Sequence, residues 1–246
     1  YERLKTLPVL TRVYIGFCAK DASSWIDWLG NSSLISIPST LWQCSPGHLH
    51  VLTRMTALNL LDVSNAPRNQ RFFDILAQLT QLTQLCLWGS KFENYSVIQG
   101  LTQLQRLDEF WFDGKQAEMT SLHLPSLKHL EMTMKALDDL TWLQLHSFLQ
   151  RHTALTDLAL RIEEDLNAPE HTRLWSTLSS LPHLEKLVGR FVVDATGPQI
   201  APLPPTLTML DVSDCYLVIP STHLALKKLE DCGNCGLDDG DDLWAM

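Results

Sequence analysis

The sequence has no long apolar run and little positive charge. No stretch reaches the roughly 18 consecutive apolar residues that a membrane-spanning helix needs, and the opening YERLKTLPVL lacks the cationic start and apolar core of a signal peptide. The 19 Lys and Arg are outnumbered by 28 Asp and Glu, which gives a formal net charge of −9. The lack of a long apolar run predicts no membrane span. Because phosphate contacts require a cationic surface, we also expect no nucleic-acid partner.

Cysteine is also sparse. Six cysteines in 246 residues do not make the dense framework of a small secreted domain, so a reducing compartment and a cytoplasmic location are predicted. Glycosylation-type triplets at Asn31 and Asn94 favour the extracellular alternative only weakly, because such triplets also arise by chance. The pair Cys232 and Cys235 lacks both the second ligand pair of a structural zinc site and the helix that follows a dithiol motif. No metal and no cofactor are therefore predicted.

Catalytic motifs are missing as well. The sequence contains no GxGxxG, GxxxxGK, GxSxG or HExxH, and its nine histidines are scattered. Three of them, His146, His152 and His171, fall on or beside predicted outer helices, where a solvated or capping role is expected. The acidic segment 238–242 lacks the spacing and the final Glu of a calcium loop. The sequence predicts a protein that is not an enzyme.

Leucine, in contrast, is abundant and regularly placed: 46 of the 246 residues are leucine. A unit LxxLxL recurs along the chain, and its copy at 207–217, LTMLDVSDCYL, fits LxxLxLxxCxL at every fixed position. Successive units are separated by 19 to 29 residues. We call the first leucine of each unit its marker, and the ten markers are Leu10, Leu34, Leu58, Leu82, Leu104, Leu127, Leu155, Leu184, Leu207 and Leu226.

This pattern resembles the leucine-rich repeat superfamily, in the irregular form of its intracellular members. The resemblance implies a single α/β domain over residues 1–246, folded as a horseshoe-shaped solenoid. Its concave side would be a parallel sheet of about ten short strands, with helices or extended returns on the convex side. Residues 226–246 would form the terminal repeat and an acidic tail. Because Tyr1 begins in mid-pattern, the N-terminal end is expected to be uncapped, which predicts upstream sequence or a docked neighbour.

The chain departs from the family pattern in two respects. The ninth position of the repeat, which in the family is Asn or Cys, is mostly occupied by other residues, so the hydrogen-bonded ladder of the family is expected to be largely lost. Polar residues or glycine replace core residues at Ser39, Glu109 and Gly189, which leaves the register open at 34–40, 104–113 and 184–193. A slip of one residue there would exchange the buried and exposed faces of the strand.

The return segments predict their own structures. Apolar residues at helical spacing predict a helix over 137–149, with two carboxylates near its start, and another that begins after Asn167 and continues to Leu181. Residues 71–77 are predicted to form two helical turns. The proline-rich segment 201–205 predicts an extended return, because proline is excluded from helix interiors.

Residues three, five and seven of each unit are predicted to face the concave side. Aromatic residues and arginines on an exposed sheet are typical of protein-binding hot spots. In the alternative interpretation, the aromatic residues are partly covered and the arginines pair with neighbouring carboxylates. The predicted partner-binding residues are Tyr14, Trp88, Arg106, Asp108, Phe110, His129, Glu131, Asp157, Arg161, Lys186, Arg190 and Asp211.

The function predicted from this resemblance is a non-catalytic scaffold that binds a partner protein through its concave face. One alternative is the substrate-recognition arc of a larger machine such as an F-box-type ubiquitin ligase, whose adaptor module would lie upstream of Tyr1. The other is the ligand-sensing arc of an innate-immune-type receptor, for which glycans at Asn31 or Asn94 would be evidence.

Overall fold

The computed structural model describes residues 34, 36–37, 46–63, 69–87, 95–112, 121–135, 138–164, 166–190, 193–194, 199–200, 203–213, 216–220, 228–230 and 234–238. The chain divides into two compact units. The first consists of Tyr1–Phe110 with Leu124–Leu127, and the second of Trp111–His123 with Lys128–Met246. That the whole chain is a single repeat domain stays a prediction.

The first unit carries short parallel strands in chain order, β1-β2-β3-β4. The same position of successive repeats is in register: Ile37 pairs with Leu61, Leu61 with Leu85, and Leu85 with Leu107. The last two residues of β4 belong to the second unit. The elements are β1 Ser36–Ile37, a 3-10 helix Pro46–Arg54, β2 Leu60–Asp62, α1 Gln70–Leu76, β3 Gln84–Cys86, a 3-10 helix Tyr95–Gly100 and β4 Arg106–Phe112.

The second unit continues the same plan with longer strands. Its main sheet is parallel, in the order β5-β6-β8-β11-β13. Two small parallel sheets join return segments, β7 with β9 and β10-β12-β14. The elements are β5 His129–Met134, α2 Asp139–Arg151, β6 Asp157–Ile162, β7 Leu166–Asn167, α3 Ala168–Ser179, β8 Lys186–Arg190, β9 Val193–Asp194, β10 Gln199–Ile200, β11 Met209–Ser213, β12 Tyr216–Pro220, β13 Lys228–Glu230 and β14 Asn234–Asp238.

The repeat spacing fixes where the strands of the main sheets begin. Nine of the ten markers are followed two residues later by the first residue of such a strand, and the tenth, Leu10, lies outside the described residues. The eight markers from Leu34 to Leu207 are all buried. One repeat cannot cover its own apolar side, so stacked turns share a continuous core. The predicted fold class is confirmed: the chain folds as a leucine-rich repeat solenoid with an open parallel sheet.

The register left open at 34–40 and 184–193 follows the leucine spacing at its described positions. Ile37 lies opposite Leu61. The buried Gly189 lies between Leu160 and Val212 on neighbouring strands, where the unit calls for an apolar side chain. Gly189 therefore occupies a core position without filling it.

The predicted helices are confirmed, and two of them have side-chain caps. The Asn69 side chain accepts a hydrogen bond from the Phe72 backbone N–H at 2.9 Å at the start of α1, and Asp138 accepts one from the Thr141 N–H at 2.8 Å at the start of α2. Each satisfies a backbone donor that the first helical turn leaves unpaired. Helix α3 begins at Ala168, directly after Asn167. In the described part of the predicted extended return, Leu203 and Pro204 are not helical.

The helices of the described ranges are too short, or not apolar enough, to cross a membrane.

Threonines, rather than asparagine or cysteine, connect several adjacent turns. Thr83, Thr156 and Thr208 occupy the second position of their units. In each, both the backbone N–H and the hydroxyl donate to one carbonyl of the preceding turn, at 2.8 Å and at 3.1–3.2 Å respectively. The family's ladder position is instead filled by a buried Phe112 and an exposed Lys135 in two of the described repeats. In these three repeats the threonine hydroxyl adds a side-chain hydrogen bond between turns at the start of the strand.

Candidate protein-binding face

The face of the sheet turned away from the buried leucines is the candidate site. In β5, the side chains of His129, Glu131 and Thr133 are half-buried, while the residues between them are buried. In β6, Asp157 and Ala159 are half-buried and Arg161 is exposed. The predicted alternation is confirmed in both strands. We call this side the open face.

Parallel register arranges the open face of the second unit into three rows that cross β5, β6, β8 and β11. Adjacent strands lie about 4.8 Å apart, so neighbours within a row are within side-chain reach. The first row is His129, Asp157, Lys186 and Met209; the second is Glu131, Ala159, Val188 and Asp211; the third is Thr133, Arg161, Arg190 and Ser213.

The first row is internally charge-paired. Lys186 Nζ lies 3.2 Å from Asp157 Oδ1, and the Thr156 hydroxyl donates to Asp157 Oδ2 at 2.7 Å. The lysine side chain is 54% exposed and the aspartate 28%. Such a pair contributes at most about 1 kcal/mol to stability, because water and salt screen it. Its main effect is to hold both side chains in place.

The third row contains two arginines directly opposite each other. Arg161 on β6 is in register with Arg190 on β8, and both are exposed. Over the ranges that the structure describes, neither guanidinium has a hydrogen bond or an ion pair. The predicted pairing of arginines with carboxylates does not hold at these two positions.

The first unit has its own open face, formed by Leu60 and Asp62 on β2, Gln84 and Cys86 on β3, and Arg106 and Asp108 on β4. Arg106 Nε lies 2.9 and 2.7 Å from the two carboxylate oxygens of Asp108 and donates to them. Here the arginine is paired as the alternative interpretation predicted. Cys86 on β3 is half-buried on this face.

Phe110 does not lie on the open face, so that prediction is wrong. Among the described side chains of β4, Leu107, Phe110 and Phe112 are buried, and Trp111 is half-buried between the two phenylalanines. The step of three residues from Leu107 to Phe110 reverses the alternation within the strand. Continued alternation would have placed the carboxylate of Glu109 in the core, which costs far more than burying an aromatic ring. The Phe110 ring instead packs on Tyr95, with centroids 4.8 Å apart.

The other predicted site residues divide by location. Tyr14 and Trp88 lie outside the described residues. His129, Asp157 and Lys186 share the first row; Glu131 and Asp211 lie in the second, separated by two strands. Trp111 is an aromatic residue that the repeat spacing missed, because the spacing assigns it to neither face.

His152 and His171, which lie on or beside the helices of the second unit, are part of its core. His152 ends α2 as its C-cap, with Nδ1 2.7 Å from the Phe148 carbonyl oxygen, and His171 in α3 accepts a hydrogen bond from the Trp175 indole. Both rings are buried, and burial lowers the pKa of each to about 4. The capping role predicted for His152 is confirmed, whereas a solvated or capping His171 is wrong. Their roles are structural.

Comparison with known proteins finds similarity to this chain among solved structures. The crystal structure of internalin C2 from Listeria monocytogenes is 16% identical, with a TM-score of 0.45 over 82% of this chain and 91% of that chain. Another internalin of that organism (inlF) is 15% identical, with a TM-score of 0.40 over 76% of this chain and 65% of the other. No protein-family model matches the sequence. No curated protein matches it either.

Proposed function

We propose that the chain is a non-catalytic protein-binding module and that its partner docks on the open face. The observation that carries this proposal is the arrangement of the second unit's open face, where three rows of mostly polar side chains stand on a sheet whose other side is filled by leucine. A solenoid holds such side chains at fixed spacings, while its leucine side supplies most of the buried apolar surface. These fixed positions are suited to recognition.

The composition of this face suits a protein partner. The second row presents the small or apolar Ala159 and Val188 at its centre, and charged residues surround them in the first and third rows. An apolar centre with a polar rim is the usual anatomy of a protein interface. The lack of catalytic motifs in the sequence supports a binding role rather than a catalytic one.

A steric block tests the proposal. Ala159→Tyr combined with Val188→Tyr places two bulky side chains in the middle of the open face, at strand positions that tolerate aromatic residues. The matched control, Leu140→Tyr with Leu143→Tyr, places the same two side chains on the exposed side of α2, where the leucines are 58% and 61% exposed. We expect affinity capture followed by mass spectrometry to lose the partner with the first variant and keep it with the second. The reverse result would move the binding surface to the helices and overturn the proposal.

We also propose a cytoplasmic location, as in the intracellular type of repeat. The support is the thin spread of six cysteines along the 246 residues. Cell fractionation should recover the protein with cytosolic markers. A shift in mobility on glycosidase treatment, lost in an Asn31→Gln and Asn94→Gln variant, would instead establish the secreted alternative.

A further inference from the structure

Two arginines that lie side by side in the third row indicate the chemistry of the partner. We propose that Arg161 and Arg190 together form a receptor for carboxylate side chains, so that the segment docking on the open face is an acidic peptide of a partner protein. This inference rests on the proposed function and deepens it, because it states what a partner must present at one defined place on that face.

The first step is the contrast between rows. Asp157 and Lys186 neutralise each other in the first row, on the same two strands that carry the arginines. Four residues further along those strands, the corresponding positions are Arg161 and Arg190, which have the same sign of charge. The sheet thus holds two cations side by side where it could have held a pair of opposite charges. An anion between them would remove their mutual repulsion.

The second step is the geometry of the guanidinium group. Arginine presents a planar fork of N–H donors that matches the two oxygens of a carboxylate. Two such forks on strands about 4.8 Å apart can hold one carboxylate between them or two from alternate residues of an extended peptide. The row continues on one side to Thr133, whose side chain is half-buried, so a hydroxyl borders the pair.

The third step selects carboxylate over phosphate or nucleic acid. Glu131 and Asp211 lie in the second row, on the strands that flank the arginines, and bring two negative charges close to the site. Two carboxylates beside two arginines leave the site with little net positive charge. A phosphate carries up to twice the charge of a carboxylate and costs more to desolvate on binding, and this site offers little net attraction to offset that cost. The whole chain carries a net charge of −9, which repels a long nucleic acid along its entire length, whereas a short acidic peptide contacts only the surface around the two arginines. A singly charged side chain on a protein is the best match.

The test uses the full chain and defined probes. A fluorescein-labelled hexaglutamate peptide is titrated with the protein and followed by fluorescence anisotropy at low and at physiological salt, with hexaglutamine as the neutral probe. We expect hexaglutamate alone to bind, and to bind more weakly as salt rises. Arg161→Gln with Arg190→Gln should weaken binding at least about ten-fold, as the loss of two charge-assisted contacts implies.

The matched control is Arg71→Gln with Arg173→Gln, which makes the same change in net charge at two exposed arginines on α1 and α3. It should leave hexaglutamate binding within about two-fold. A further variant, Arg161→Lys with Arg190→Lys, keeps the charge but loses the fork, and it should retain only part of the affinity. Equal binding by the wild type and the glutamine variant would overturn the proposal, as would full binding by the lysine variant.

Two further outcomes would also overturn it. Tighter, arginine-dependent binding of a phosphoserine peptide would assign the site to phosphate. If neutralising the aspartates of segment 238–242 increased hexaglutamate affinity in the wild type but not in the Arg161→Gln and Arg190→Gln variant, the protein's own acidic segment would be the occupant. Failure of this inference is distinguishable from failure of the proposed function. If only this inference is wrong, Ala159→Tyr with Val188→Tyr abolishes partner capture, but Arg161→Gln with Arg190→Gln does not. If the proposed function is wrong, the two tyrosines have no effect on capture.

Discussion

The indole N–H of Trp175 donates a hydrogen bond of 2.7 Å to Nε2 of His171, and both side chains are buried. The two residues lie one helical turn apart in α3, so a single helix supplies both partners. The ring can accept at Nε2 only while that nitrogen is unprotonated. The folded chain therefore requires the neutral form of this histidine.

Acid should consequently destabilise the second unit. In the folded chain the pKa values of His152 and His171 are about 4, below the ordinary value of 6.5, because both rings are buried. Between pH 6.5 and 4 the unfolded chain binds these protons more readily, so the free energy of unfolding is highest above pH 6.5 and falls towards pH 4. The loss is up to about 3 kcal/mol per histidine. Urea denaturation at a series of pH values measures it.

The two histidines can be tested by removing them. A His152→Gln and His171→Gln double variant should show a flatter pH dependence than the wild type, and each single variant should lie between the two. An unchanged slope in the double variant would mean that other groups cause the acid sensitivity.

Replacing the cap of α2 should cost more than replacing its neighbour. Asp138→Ala removes the acceptor for the Thr141 N–H and should lower the free energy of unfolding by about 1 kcal/mol. Hydrogen bonds from Thr141 also lower the pKa of Asp138, so this contribution is present at neutral pH and is lost as the carboxylate becomes protonated in acid. Asp139→Ala removes the exposed ion pair with Arg173 and one negative charge from the first helical turn. Because water and salt screen both effects, it should cost less than Asp138→Ala. Equal losses in chemical denaturation would contradict the capping role.

Two leucines of α2 provide a test of which helix face is buried. Leu145 is buried and Leu143 is 61% exposed. Leu145→Ala should reduce stability by about 2–5 kcal/mol, because it leaves a cavity, while Leu143→Ala should change it by less than about 0.5 kcal/mol. Thermal denaturation of both variants compares the two losses of stability. A larger loss for Leu143→Ala would show that α2 packs with the opposite face.

The reversed alternation of β4 predicts the relative cost of two aromatic substitutions. Phe110→Ala removes a buried ring that packs on Tyr95 and should cost about 3–5 kcal/mol. Trp111→Ala truncates a larger but half-buried side chain and should cost clearly less. If Trp111→Ala proved the more damaging in chemical denaturation, Trp111 rather than Phe110 would be the buried residue, and the alternation of β4 would not be reversed.

The sequence predicted the structure best where a single pattern of apolar residues determined it. Leucine spacing located the start of each described strand in the main sheets, because every marker must return to the same core. Helix α2 was recognisable from its apolar spacing and its early carboxylates. These features depend on local pattern and on burial, which act in the same direction throughout the solenoid.

The remaining features depend on competition between residues. Phe110 took the place in the core that the spacing gives to Glu109, since an aromatic ring is cheaper to bury than a carboxylate. His171 became a core residue because Trp175, one turn away, supplies a donor. That Arg161 and Arg190 have no carboxylate partner among the described residues could not be predicted, because it depends on which residues lie opposite each other on neighbouring strands. The pairing of β10, β12 and β14 could not be predicted either, because these segments have no alternating pattern.

The matched ladder of Ile37, Leu61 and Leu85 has a consequence for how this protein can change in length. Their markers are 24 residues apart, so removing or duplicating 24 consecutive residues removes or adds one complete turn and leaves every other strand in phase. Removing a single residue within β2 would instead turn its core leucine outward. Insertions and deletions here should therefore be tolerated in whole turns, and each added turn widens the open face by one strand.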